Sequence, residues 1–193
     1  MHDVNPFKYT NIDNSNHWII SEIILNQCKN YPEKKIIEFV DGPIWSFDDL
    51  KNKAFEKAKV LRDLQVKQGD TITVMVDDPI EFVPYWVASS FLGVMFVALN
   101  TALQGSVLHH QISLTKSNVM VVSDVYYENV IQLVKEKNLK IKVFNCSSLT
   151  FNGMILEKDV YIGKISDEVC AMFTSGTSGP SKGVLMPNAH CVL

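Results

Sequence analysis

The 193-residue sequence predicts an α/β fold, a layered parallel-sheet subdomain with helices on both faces. Three observations carry that expectation. Short apolar runs alternate with helix-period patterns along most of the chain, as in repeated strand–helix–strand units. The run from Phe82 to Leu99 carries no formal charge but is interrupted by Pro84, Ser89, Ser90 and Gly93, so it reads as a buried helix followed by a buried strand. Composition agrees: 47% hydrophobic and 20% charged residues are globular proportions, with enough bulk for a real core.

Taken in order, residues 1–18 form an N-terminal extension. Its start carries His2, Asp3 and Lys8 and no apolar run of the secretory kind. Residues 19–193 make the folded unit. Ile36–Val40 and Ile44–Trp45 flank the Asp41-Gly42-Pro43 turn and predict a hairpin. Ser46 with Asp49 forms a capping box, and the helix it opens places Phe47, Leu50, Ala54, Ala58 and Leu61 on one face. Lys51, Lys53, Glu56, Lys57 and Lys59 fall largely on its wet side. Gly69-Asp70 closes the connection to Thr71–Val76, a strand rich in β-branched residues.

The next helix opens between Pro79 and Pro84 and runs to Leu92, with a strand over Val94–Leu99. This segment just reaches membrane-spanning length. Its acidic flank (Asp77, Asp78, Glu81) and the lack of a nearby Lys or Arg argue against a span. Ser106 is expected to cap a helix to about Lys116, Val119–Ser123 is a strand, Glu128–Lys137 a helix and Lys140–Phe144 another strand. Asn145–Asp167 reads as loop. Val169–Phe173 is a buried-type strand, and Asn188–Leu193 looks like the start of a helix.

Charge and cysteine spacing exclude several classes. The 18 basic and 21 acidic side chains leave a net charge of -3, so no basic field exists to hold nucleic acid or an anionic membrane. Cys28, Cys146, Cys170 and Cys191 form neither a CxxC pair nor a zinc spacing, which suits reduced thiols in a cytoplasmic protein. His109 and His110 are adjacent on a helix and diverge by about 100°, a poor pair for one metal ion, and read as surface histidines. Trp18, Trp45 and Trp86 read as packing residues, because no basic groove accompanies them. Asp77 and Asp78 follow a strand end; solvated loop acids are the ordinary reading, a carboxylate pair beside a ligand crevice the functional one.

One segment looks chemical. Thr174, Ser175, Gly176, Thr177, Ser178, Gly179, Pro180, Ser181, Lys182 and Gly183 combine hydroxyls, glycines and one lysine between two apolar runs. Glycines let successive backbone N–H groups converge, hydroxyls add neutral donors and the lysine adds charge, which makes a nest for phosphate. A flexible linker would seldom place a single lysine between apolar strands. The Walker loop of nucleoside triphosphatases has the spacing of Gly176 and Lys182, but it requires Gly where Ser181 stands and Ser or Thr where Gly183 stands.

The segment resembles the phosphate loop of the AMP-forming adenylating enzymes, the family of acyl-CoA synthetases, aryl-CoA ligases, luciferases and peptide-synthetase adenylation domains. That loop reads Thr-Ser-Gly-(Ser/Thr)-(Thr/Ser)-Gly-x-Pro-Lys-Gly, and Thr174–Gly183 departs from it only at Ser181, which replaces Pro. Weaker likenesses lie upstream in the family's order: Trp45-Ser46-Phe47-Asp48-Asp49-Leu50, Gly69-Asp70, and Gly93 to Asn100. Many members carry Ser/Thr-His shortly after the loop; Pro187-Asn188 stands here, with His190 two residues on, so the histidine's role is not carried over.

The resemblance implies an acid–CoA ligase that uses ATP, Mg2+ and coenzyme A. A carboxylic acid is activated as an acyl-adenylate and passed to the CoA thiol. Thr174, Ser175, Gly176, Thr177, Ser178, Gly179, Lys182 and Gly183 would bind the ATP phosphates. A carrier-protein-loading adenylation domain and a non-catalytic scaffold remnant are the alternatives. The chain corresponds to an N-terminal portion that stops after the phosphate loop, so the catalytic residues are expected beyond Leu193. Three or four charge-assisted bonds of about 1.5 to 3 kcal/mol each, against an association cost of about 4 to 15 kcal/mol, leave at best millimolar affinity and no turnover for this portion alone.

Overall fold

The computed structural model describes residues 18–150, 152–174 and 180–192. Its elements are α1 (Ile20–Asn30), β1 (Lys35–Glu38), β2 (Ile44–Ser46), α2 (Phe47–Asp63), β3 (Thr71–Met75), α3 (Pro79–Leu92), β4 (Met95–Ala98), α4 (Gly105–Thr115), β5 (Val119–Val122), α5 (Asp124–Glu136), β6 (Lys142–Asn145), β7 (Glu168–Phe173), β8 (Gly183–Pro187) and α6 (Asn188–Val192). β1 and β2 pair as the expected antiparallel hairpin. The main sheet has six strands in the order β6-β5-β3-β4-β7-β8. The first five run parallel, and β8 turns back antiparallel to β7.

The pleat sorts alternate strand residues into two cores. Ile72, Val74, Phe96, Val119, Val121 and Cys170 pack with α2 and α3 on one face. Met75, Val97, Met120, Val122 and Ala171 meet Leu108 and Ile112 of α4 and Val130 and Leu133 of α5 on the other. The layered α/β expectation, helices on both faces, is therefore what the chain adopts. Strands covered on both faces have no wet side, which is why they read as continuous apolar runs.

The local signals act as expected where their geometry is complete. Ser46 Oγ accepts from Asp49 N while the Asp49 carboxylate accepts from Ser46 N, the capping box that starts α2. Gly93 adopts the left-handed conformation (φ 64°, ψ 39°) and ends α3, splitting the apolar run into helix and strand. Tyr85 and Phe91 of α3 are fully buried, and no helix of the described residues is long and apolar enough to cross a membrane.

Four expectations need correction. Lys57 is not on a wet face: it is 8% exposed, pairs with Glu81 of α3, and its Nζ lies 4.9 Å from the Tyr85 ring centroid. Close packing of α2 on α3 covers the lysine stem, and Glu81 and the ring compensate its charge. Ser106 is not a cap: it lies inside α4, which starts at Gly105 with Gln104 at the N-cap and no side-chain bond there. α5 starts at Asp124, not Glu128; its first turn carries a well-placed acid and an exposed Val125, so apolar periodicity does not mark it. Val40 leaves the hairpin strand and is exposed in the turn.

Candidate functional site

In a parallel α/β sheet, ligands collect beyond the carboxyl ends of the strands. The two described ends of the Thr174–Gly183 segment lie there, Thr174 leaving β7 after Phe173 and Gly183 entering β8 opposite Phe173. Antiparallel return makes the two ends of the segment neighbours. Thr174 N donates to Lys182 O at 3.0 Å, closing the neck of the loop. Thr174 and Lys182 are exposed, so a hydroxyl and an ammonium at the neck are open to solvent. Ser175, Gly176, Thr177, Ser178 and Gly179 lie outside the described residues.

α4 holds the exit of the loop from the side. Gln111 Nε2 donates to Ser181 Oγ at 3.0 Å, and His110 Nε2 donates to Ser181 O at 3.1 Å. Gln111 is itself buried. A Pro in place of Ser181 would have no hydroxyl for this bond, so the departure from the family pattern has a partner in α4. Between α4 and the neck lies a cleft of about 490 Å³ lined by Leu103, Val107, His110, Gln111, Thr174 and Ser181. A hollow of similar volume at the opposite end of the sheet, lined by Gly69, Met95, Tyr161 and Asp167, sits at strand beginnings, away from the loops that leave the carboxyl ends.

The other singled-out residues have structural partners. The Asp77 carboxylate accepts from Ser123 Oγ at 2.6 Å, and this hydrogen bond holds its pKa below the usual carboxylate value. Asp78 caps α3 by accepting from Ile80 N at 2.8 Å. They are thus a helix start and a strand-end tie. His109 and His110 are half-buried rather than surface residues, and His110 is engaged by Ser181. Among the described residues no three His, Cys, Asp or Glu side chains converge as a metal site. Trp45 is buried in edge-to-face contact with Phe39 at 4.6 Å, and Trp86 packs against the same core.

Two buried polar residues with no role assigned from the sequence tie down the two ends of β8, Gln111 at the loop end and Asn188 at the opposite end. Gln111 occupies the buried stripe of α4 with Leu108, Ile112 and Thr115. A lone amide on an apolar stripe was the available signal. Asn188, 2% exposed, accepts from Ile20 N at 3.2 Å and donates to Lys164 O at 3.0 Å. It joins α6 to the start of α1 and to the segment before β7. Nothing local to Asn188 announces partners so distant in the chain.

With this geometry in hand, comparison with known proteins decides the family. The AMP-binding enzyme family matches residues 24–192. The chain belongs to that family. It is 29% identical over 170 residues to the 2-succinylbenzoate–CoA ligase of Oceanobacillus iheyensis, covering 87% of this chain and 33% of that one. It is 23% identical to 4-coumarate–CoA ligase 2 of Oryza sativa subsp. japonica, covering 96% and 36% respectively. The o-succinylbenzoate coenzyme A synthetase of Bacillus subtilis, solved with AMP, shares the fold with a TM-score of 0.73 at 22% identity, over 85% of this chain and 41% of that one. The chain spans about a third of the length of the curated relatives it matches.

Proposed function

We propose that this AMP-binding chain is the phosphate-binding part of an ATP-dependent, AMP-forming acid–CoA ligase. The carrying observation is the hydroxyl- and glycine-rich segment with its single lysine, clamped by the Thr174–Lys182 bond beyond the carboxyl end of β7. In the reaction a substrate carboxylate oxygen bonds to the α-phosphorus of ATP and the bond to the pyrophosphate oxygen breaks. The CoA sulfur then bonds to the acyl carbon and AMP departs with its oxygen.

Thr174, Ser175, Thr177, Ser178 and the backbone N–H groups of Gly176, Gly179 and Gly183 are proposed to donate to the phosphates, with Lys182 neutralising the outer ones. Donors already in place stabilise the charge that develops on the leaving pyrophosphate without reorganisation. Mg2+ enters with the nucleotide, in keeping with its preference for phosphate oxygens and waters over an all-protein cage. The acyl pocket, the CoA contacts and the residues that complete catalysis are proposed to correspond to the part of the relatives' length that this chain does not span, so this chain alone is expected to bind ATP weakly and not to turn over.

The test is ATP–pyrophosphate exchange on the longest natural form of the protein and on its Lys182→Ala variant, with a panel of carboxylic acids. Loss of one charge-assisted bond of about 1.5 to 3 kcal/mol lowers exchange by roughly 10- to 100-fold. No exchange with any acid, or exchange indifferent to the substitution, overturns the proposal.

A further inference from the structure

We propose that Cys170 and Cys191 are a disulfide-forming modification site that encloses the candidate phosphate loop. The inference stands apart from the ligase proposal, because it rests on two thiols and their placement. Their Sγ atoms are 3.8 Å apart, although the residues are 21 positions apart in the chain. A disulfide places its sulfurs about 2.05 Å apart, so closure needs an approach of about 1.8 Å, within reach of side-chain rotation. Thr174 to Gly183 lies wholly between the two cysteines.

The fold creates this proximity. Cys170 is buried in β7 opposite Met186 of β8, and β8 runs into α6, which brings Cys191 back over β7. Cys191 is half-buried and is the more accessible thiol. The other two cysteines are engaged elsewhere. Cys28 donates to Phe47 O at 3.2 Å and Cys146 to Glu81 Oε2 at 3.5 Å. Oxidation is thereby directed to one pair.

The oxidant is a small-molecule disulfide such as oxidised glutathione. The Cys191 thiolate attacks one of its sulfurs, the S–S bond breaks, and the first small thiol leaves with a proton from solvent. The Cys170 thiolate then attacks the Cys191 sulfur and releases the second. Two protein thiols are oxidised and one disulfide is reduced to two thiols, with both thiol protons accounted for in the products. Burial pushes the Cys170 thiol up to about 12, which makes the second displacement the slow one. The product ties α6 to the early part of β7 and closes a covalent ring that contains the loop, at the end of the β7–β8 pair away from it.

The intact chain, folded and incubated in a glutathione redox buffer, is quenched by alkylation and mapped by mass spectrometry. The expected product is lighter by two hydrogen atoms before alkylation, carries one Cys170–Cys191 link, and keeps Cys28 and Cys146 alkylated. Cys191→Ser abolishes the link while leaving the reduced unfolding midpoint unchanged, and Cys170→Ser traps a glutathione adduct on Cys191. Alkylation of all four thiols, a link between any other pair, or a wild-type adduct that never resolves onto Cys170 overturns the proposal.

Discussion

Replacing Gly93 with Ala tests whether the break between α3 and β4 depends on a conformation or on space. Gly93 has φ 64°, and a Cβ built there would meet the Tyr161 ring at 2.5 Å from Cδ1 and 2.9 Å from Cε1. Tyr161 is held at three points, its ring by the hydroxyl and its backbone by two further bonds. Tyr161 OH donates to Asp167 at 3.0 Å, Tyr161 N donates to Phe91 O at 2.8 Å, and Tyr161 O accepts from Ser21 Oγ at 3.1 Å. The left-handed backbone costs a residue with a Cβ about 1 to 2 kcal/mol. Displacing a packed, hydrogen-bonded ring adds about 1 to 3 kcal/mol, for a total loss of about 2 to 5 kcal/mol.

Gly69 is the internal control. It has φ 84°, donates its N–H to Gly93 O at 2.8 Å, and has no atom within 4 Å of a built Cβ. Gly69→Ala therefore carries only the backbone cost of about 1 to 2 kcal/mol. Urea unfolding of the 193-residue chain measures both variants, with an unchanged denaturant slope as the sign that stability alone moved. If Gly93→Ala falls within about 0.5 kcal/mol of Gly69→Ala, the Tyr161 contact contributes nothing and the steric reasoning is wrong.

Two further outcomes follow from the same face of the fold and from the strand ends. Glu81→Ala leaves the Lys57 ammonium, 8% exposed, without its carboxylate and lowers stability by about 1 to 3 kcal/mol, whereas Lys57→Met with Glu81→Leu is milder than either single loss; equal urea midpoints for Glu81→Ala and the native chain would refute the pairing. Asp77, held by Ser123 Oγ, and Asp49, held by the Ser46 N–H and hydroxyl, titrate below the ordinary 3.8. A folded-state pKa below the unfolded one adds stability that is fully present above 3.8 and lost as the pH falls through the folded value. Ser123→Ala is expected to shrink the fall in urea midpoint on acidification below 3.8, and an unaltered fall would sink the assignment.

Local chemistry by itself determined most of the element order. A capping box needs only Ser46 and Asp49, the helix–strand break needs only Gly93, and the grouping of hydroxyls, glycines and Lys182 is visible without any neighbour. The apolar character of β4 and β5 foretold that both sheet faces are covered, since a strand with no polar side cannot face water, whereas β3 carries Thr71 and Thr73 and its two-sided burial is not legible in the same way. The first turn of α5 is not legible in apolar spacing, because it carries Asp124 and an exposed Val125, and the Ser123 hydroxyl bonds to Asp77 instead of capping the helix.

Tertiary structure decided what depends on which elements become neighbours. Lys57 is buried because α3 brings Glu81 and Tyr85 to it, and Gln111 finds Ser181 because α4 packs beside the return from β7 to β8. Asn188 reaches Ile20 across 168 positions, and Cys170 meets Cys191 only through the antiparallel turn of β8. Periodicity records how one segment divides water from core. It holds no record of strand order or of which helices pack together, and these bring the polar partners within hydrogen-bonding distance.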